Sequence, residues 1–104
     1  MAHNPENAIK ITVDGSTVTS GAASASIALP VNAAGTAARI IRVLCPVEAS
    51  YAFVKVGNST VTATTNSIAV NMEEPVYLDT TGCTHIAYIQ GSAAAIINIV
   101  PIEW

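Results

Sequence analysis

Apolar side chains recur in this chain at every second position, in short β-branched blocks bounded by Gly, Pro, Asn and Ser. No stretch shows the spacing of an amphipathic helix. About eight such blocks follow one another at intervals of roughly ten residues, with turn residues between them. The expected fold is therefore all-β: an antiparallel β-sandwich, jelly-roll-like, of about eight short strands. Residues 1–8 are expected to form a flexible N-terminal arm, and residues 9–104 a single sandwich domain.

Individual elements can be placed from turn chemistry. Ile9, Ile11 and Val13 alternate with Lys10 and Thr12 before Asp14-Gly15, a dipeptide suited to a type I′ hairpin. That hairpin would set Ile11 opposite Val18 and Thr12 opposite Thr17. Ala25, Ile27 and Leu29 mark a half-buried strand ended by Pro30. Ile40, Ile41, Val43 and Leu44 leave little room for a polar face, which predicts a central strand stopped by Pro46. Gly57-Asn58 predicts a second hairpin, with Val54 facing Val61 and Phe53 facing Thr62. Two further short strands flank the acidic corner Glu73-Glu74-Pro75.

The stretch from His85 to Trp104 is the most apolar, and its first acid is Glu103. Read as a hairpin around Gly91-Ser92, it sets Tyr88 opposite Ala95, Ile86 opposite Ile97 and His85 opposite Asn98. Both faces are then apolar near the loop, and a two-layer core covers only one of them. The other face is expected to meet a subunit or partner. With the His85 face outward, the interface candidates are Ile96, Asn98, Val100, Ile102 and Trp104. Pro101 lacks a donor N–H, so the last strand should be an edge at that point or leave the sheet there. Trp104, behind it, is read as an anchor for a neighbour's pocket.

Composition supports a chain that works against neighbours. At 104 residues there is room for one domain. It is 51% hydrophobic but 11% charged, against roughly 25% charged in ordinary soluble domains. Such a surface must be built of Ser, Thr, Asn and Ala, or be partly hidden against another subunit. A net charge of -3, with Lys10, Arg39, Arg42 and Lys55 the only Lys and Arg, argues against nucleic acid as a partner. The start has no basic region followed by an apolar core, so no secretory signal is expected. Ile86 to Ile102 is interrupted and falls short of the roughly 20 residues of a membrane span, so no membrane partner is expected.

The same composition is poor in reactive groups. Only His3, His85, Cys45 and Cys83 could join carboxylates at a metal, so no metal or other cofactor is expected. A nucleophilic site would need Cys45 or Cys83 beside His85, or Ser92, His85 and Asp79 together, and no nucleophile elbow accompanies them. Cys45, beside Leu44 on an apolar strand, reads as a small buried hydrophobe, and Cys83, in a turn, as more exposed. In a chain without an export signal both are expected as reduced thiols. Glu73 and Glu74 are adjacent and would point to opposite faces of a strand, which does not suit paired acid and base work. No enzymatic activity is expected. A sugar-stacking platform from Tyr51, Phe53, Tyr77, Tyr88 and Trp104 is a rival reading, although alternation places most of these rings in or near the core.

The segments ASYAFVKVGNSTVTATTNSIAV and TTGCTHIAYIQGSAAAIINIVP resemble small proteins encoded among the structural genes of tailed bacteriophages. In those proteins a strand ending near a glycine leads to V-T-A-T, and a later T-H-I-A-x-I strand precedes a small-residue turn and a final apolar strand. The resemblance spans roughly Ala38 to Ile102. The segment before Ala38 has no counterpart in that pattern, and PIEW stands where a glycine-rich end is usual. The resemblance implies a virion structural protein of β-sandwich type, a capsid decoration or cement protein made in the host cytoplasm. It would form a homo-oligomer, a trimer, seated on the major capsid protein at the virion surface. The alternatives are a head-fibre, neck or tail module, or a carbohydrate- or receptor-binding sandwich.

Overall fold

The computed structural model describes residues 11, 13–31, 33, 35–36, 38–47 and 50–102. The expected arm, residues 1–8, lies outside them, as does Trp104. The strands are β1 (Ser16–Thr19), β2 (Ala25–Ala28), β3 (Ile40–Leu44), β4 (Tyr51–Gly57), β5 (Ile68–Asn71), β6 (Val76–Asp79), β7 (His85–Gln90) and β8 (Ile96–Ile102). They form two four-stranded antiparallel sheets, ordered β1-β8-β3-β6 and β2-β7-β4-β5. Consecutive strands alternate between the sheets except at β4 and β5, which is the strand order of a jelly roll. The all-β, eight-stranded sandwich is as expected.

The core lies between the sheets and follows the period of two. Ile41 and Val43 of β3 and Ile97 and Ile99 of β8 face Ala52 and Val54 of β4, Val70 of β5, and Ile86 and Tyr88 of β7. β3 lies between β8 and β6, the central place its unbroken apolar run predicts. β8 pairs with β1 only from Ile96 to Ile99, while its pairing with β3 continues to Ile102. Among the described residues, Pro101 is therefore paired on one side only, which accommodates the missing N–H.

Three expected hairpins are corrected. His85–Trp104 is not a hairpin, because β7 and β8 belong to opposite sheets and Ile86 and Ile97 meet across the core rather than along a ladder. Each strand's end is tied instead to the β1–β2 connection. Gln90 N–H donates to Gly21 O at 3.0 Å, and Ser20 N–H donates to Ala95 O at 2.8 Å. The ladder partners of His85 are Ala28 and Gly57, not Asn98.

The second hairpin does form between β4 and its successor, but with Val54 opposite Ile68 and Phe53 opposite Ala69. Residues 58–67 are its long connection, in place of the expected pairing with Val61 and Thr62. At the first hairpin, Ile9, Lys10 and Thr12 lie outside the described residues. Val18 is paired with Ile97, and Thr17 with Asn98. Gly15 has no positive φ, so it does not make the turn expected of it.

Candidate functional site: the outward face of the β8 sheet

Alternation turns Thr17 and Thr19 of β1, Ile96, Asn98, Val100 and Ile102 of β8, Ile40, Arg42 and Leu44 of β3, and Tyr77 and Asp79 of β6 away from the core. The outward phase expected for β8 is therefore present, but its side chains are not equally open. Ile96 is 39% exposed and Asn98 half-buried. Val100 and Ile102 are 9% and 3% exposed. Those last two are buried within the chain, which removes them from the expected interface set.

What remains open is a mixed patch. Ile96, half-buried Leu44 and Tyr77, 49% exposed, surround a row of hydrogen-bonded polar groups that crosses three strands. Arg42 Nη2 donates to Asn98 Oδ1 at 2.9 Å, and Asn98 Nδ2 lies 3.5 Å from Thr17 Oγ1. The Nε of Arg42 is buried without a hydrogen-bond partner. A central strand can carry a guanidinium outward only if its polar head is paired or reaches solvent. Here Asn98 supplies part of that pairing and leaves the row incomplete. Leu44, Tyr77 and Arg42 were not among the expected interface residues. Their signal lay in the pairing of β3 with β8 and β6, which strand periodicity does not disclose.

The opposite sheet turns Tyr51, Phe53 and Lys55 of β4, Ala69 and Asn71 of β5, and His85, Ala87 and Ile89 of β7 outward. The Tyr51 and Phe53 rings meet edge to face, centroids 5.9 Å apart at 81°. Of the four described aromatic candidates for a sugar platform, only Tyr88 is in the core. The expectation that most would lie in or near the core is corrected, because Ala52, Val54 and Val56 take the inward phase of β4. The remaining rings are divided between two faces, Tyr77 on one and Tyr51 with Phe53 on the other, so they form no single platform.

The groups considered for catalysis are also dispersed. Cys45 is fully buried, its Sγ 3.5 Å from Val70 O, and burial pushes its thiol above the ordinary value while a backbone contact with Ala52 partly offsets this. His85 faces outward on the other sheet, its Nδ1 2.8 Å from Thr84 Oγ1. Asp79 accepts from the Thr81 N–H at 2.9 Å, and its bonds to the Thr81 backbone and hydroxyl hold its carboxyl below the ordinary value. Ser92 follows the far end of β7 from His85. Both cysteines are free thiols, Cys83 being half-buried against the core. Glu73 and Glu74 stand exposed at their corner, their N–H groups donating to Asn71 Oδ1. Among the described residues no cluster of three or more His, Cys, Asp or Glu is placed to hold a metal, and no helix is long and apolar enough to cross a membrane.

Comparison of the chain with family models, with curated proteins and with solved structures returns no match in any of the three.

Proposed function

We propose that this protein is a non-enzymatic structural module that acts by adhesion, a capsid decoration or cement protein of a tailed-phage virion. The observation that carries the reading is the outward face of the β1-β8-β3-β6 sheet. Ile96, Leu44 and Tyr77 there surround the Arg42–Asn98–Thr17 row, giving an apolar patch with a fixed polar centre. A chain that is 11% charged and presents such a patch is suited to being held between subunits, where symmetric contacts offset the modest stability of one small domain.

In this reading copies associate as a trimer through that patch and sit on the major capsid protein. Bound across joints of the shell, they stabilise the assembled lattice over its parts by mass action. The phage context rests on the sequence pattern between Ala38 and Ile102. Copy number per particle tests it, by quantitative mass spectrometry of virions that contain the chain. A count comparable to that of the major capsid protein is expected, whereas the count of a single ring would move the protein to a neck or tail position.

A further inference from the structure

One flank of the sandwich lies between the outer strands β5 and β6. At the Asn71 end of β5 that flank is tied shut. Cys45 N–H donates to Asn71 O at 3.3 Å and Cys45 Sγ lies 3.5 Å from Val70 O, which holds the residue after β3 against β5. At the Ile68 end it is open. The β4–β5 ladder stops where Val54 meets Ile68, while β4 continues to Gly57. Beyond Val54, β4 has no β5 residue beside it, and the chain returns through a turn at 64–67, closed by Ser67 N–H donating to Thr64 O at 2.9 Å.

A cavity of about 440 Å³ lies in that opening, within the range of roughly 300–1,000 Å³ that holds small molecules. Its apolar wall is Val54 and Val56 of β4, Ile68 of β5 and, from the facing sheet, Leu78 of β6. Ile68 shares the inward phase of its ladder partner Val54, yet Ile68 is 51% exposed and Val54 fully buried. An inward-facing isoleucine left half in water marks a place where the chain does not fill its own interior.

The chemistry of the wall selects the occupant. Val, Ile and Leu offer aliphatic contact and no ring, so a sugar finds no stacking surface. Lys55 lines the cavity and no acidic residue does, which favours an anion over a cation. The rest of the wall is Thr64, Asn66 and Ser67. Thr64 N–H donates to Ser67 Oγ at 3.1 Å, and Asn66 N–H donates to Thr64 Oγ1 at 3.2 Å. Each hydroxyl oxygen thus accepts from the backbone, and its own proton is left to donate. An ammonium and hydroxyl donors beside an aliphatic wall match a carboxylate carried on a hydrocarbon chain.

We propose that this cavity is a binding site for a small aliphatic carboxylate of the size of a medium-chain fatty acid, its chain between Ile68 and Leu78 and its head group at Lys55 and the turn at 64–67. Bound there, the chain bridges the outer strands of the two sheets. Only the folded protein has the site, so the ligand stabilises the fold by mass action. Leu78 and Tyr77 have opposite phases on β6, which puts this site and the Ile96 patch on opposite sides of that strand and makes the proposal independent of the adhesion reading.

The probe is sodium octanoate, titrated into the isotope-labelled full chain and followed by amide chemical shifts. Saturable shifts confined to Lys55–Gly57, the turn at 64–67, Ile68 and Leu78 are expected. Octanoate should bind up to about four-fold tighter than heptanoate, which is one methylene shorter. It should bind about two- to five-fold tighter than octan-1-ol, which keeps the chain and lacks the charge. Lys55→Gln, at an exposed position, should bring octanoate down to the affinity of octan-1-ol and leave the unfolding midpoint without ligand unchanged. Shifts that do not saturate or that scatter over the surface, or octanoate binding that Lys55→Gln leaves unchanged, overturn the proposal. Octan-1-ol binding to the wild type as tightly as octanoate overturns it as well, and that comparison needs no variant.

Discussion

Gly15 shows how a single residue is constrained by its neighbours rather than by its own dihedral angles. A Cβ built there would lie 1.8 Å from Ile99 O and 2.7 Å from Val100 Cα, both backbone atoms of β8. β1 can approach β8 at that point only without a side chain. Gly15→Ala should therefore cost about 1–3 kcal/mol, read as a lowered urea midpoint with unchanged slope. Cys45 gives a second test at this scale, with a defined sign. Its folded pKa is raised above the ordinary 9.0 by burial, so the protonated thiol favours the folded state. That stability is fully present below pH 9.0 and is lost as pH rises from there through the folded pKa. The wild type should lose stability more steeply than Cys45→Ala above this point, in urea melts across a pH series. Parallel curves would mean that the thiol is not shielded.

At the scale of elements, strand positions were legible and strand partners were not. Alternation and Pro or Gly boundaries located β3, β5 and β6, because a strand's own residues mark its extent, but with both phases of β8 apolar they did not decide that Ile97 and Ile99 face inward. Which sheet a strand joins depends on connections that the period of two does not encode. The hairpin readings at Gly15, Gly57 and Gly91 share one cause. None of these glycines has positive φ, which is confined to Gly35 and Gly82. At Gly15 and Gly91 the absence of a Cβ instead makes room, for the β8 backbone and for the Tyr51 ring. The site was legible in the same partial way. Ile96 and Asn98 could be named from β8 only once one of its two apolar phases was taken as outward, whereas Leu44, Arg42 and Tyr77 needed the β8-β3-β6 order. Val100 and Ile102 share the phase of Ile96, and phase alone does not report their burial. The two phases of β8 should separate in chemical denaturation. Ile97→Ala should cost about 2–5 kcal/mol through its cavity, while Ile96→Ala should stay within roughly 0.5 kcal/mol in the isolated monomer.

For the whole molecule, the jelly-roll order places two sheets over one core and leaves each with an outward face. A fold of 104 residues gains little from its own core after conformational entropy is offset, and in the proposed reading association through its surfaces would add stability that depends on concentration. In that reading the low charge would belong to the assembled state, in which part of the surface is covered. In the proposed reading the Ile96 patch is a subunit contact. It is tested most directly by the native mass of the wild type and of Ile96→Asp, from light scattering after size exclusion. An assembled wild type, insensitive to salt, that Ile96→Asp reduces to a smaller particle while its unfolding midpoint stays unchanged is the predicted result. A monomeric wild type, or an assembly whose mass Ile96→Asp does not change, would contradict it.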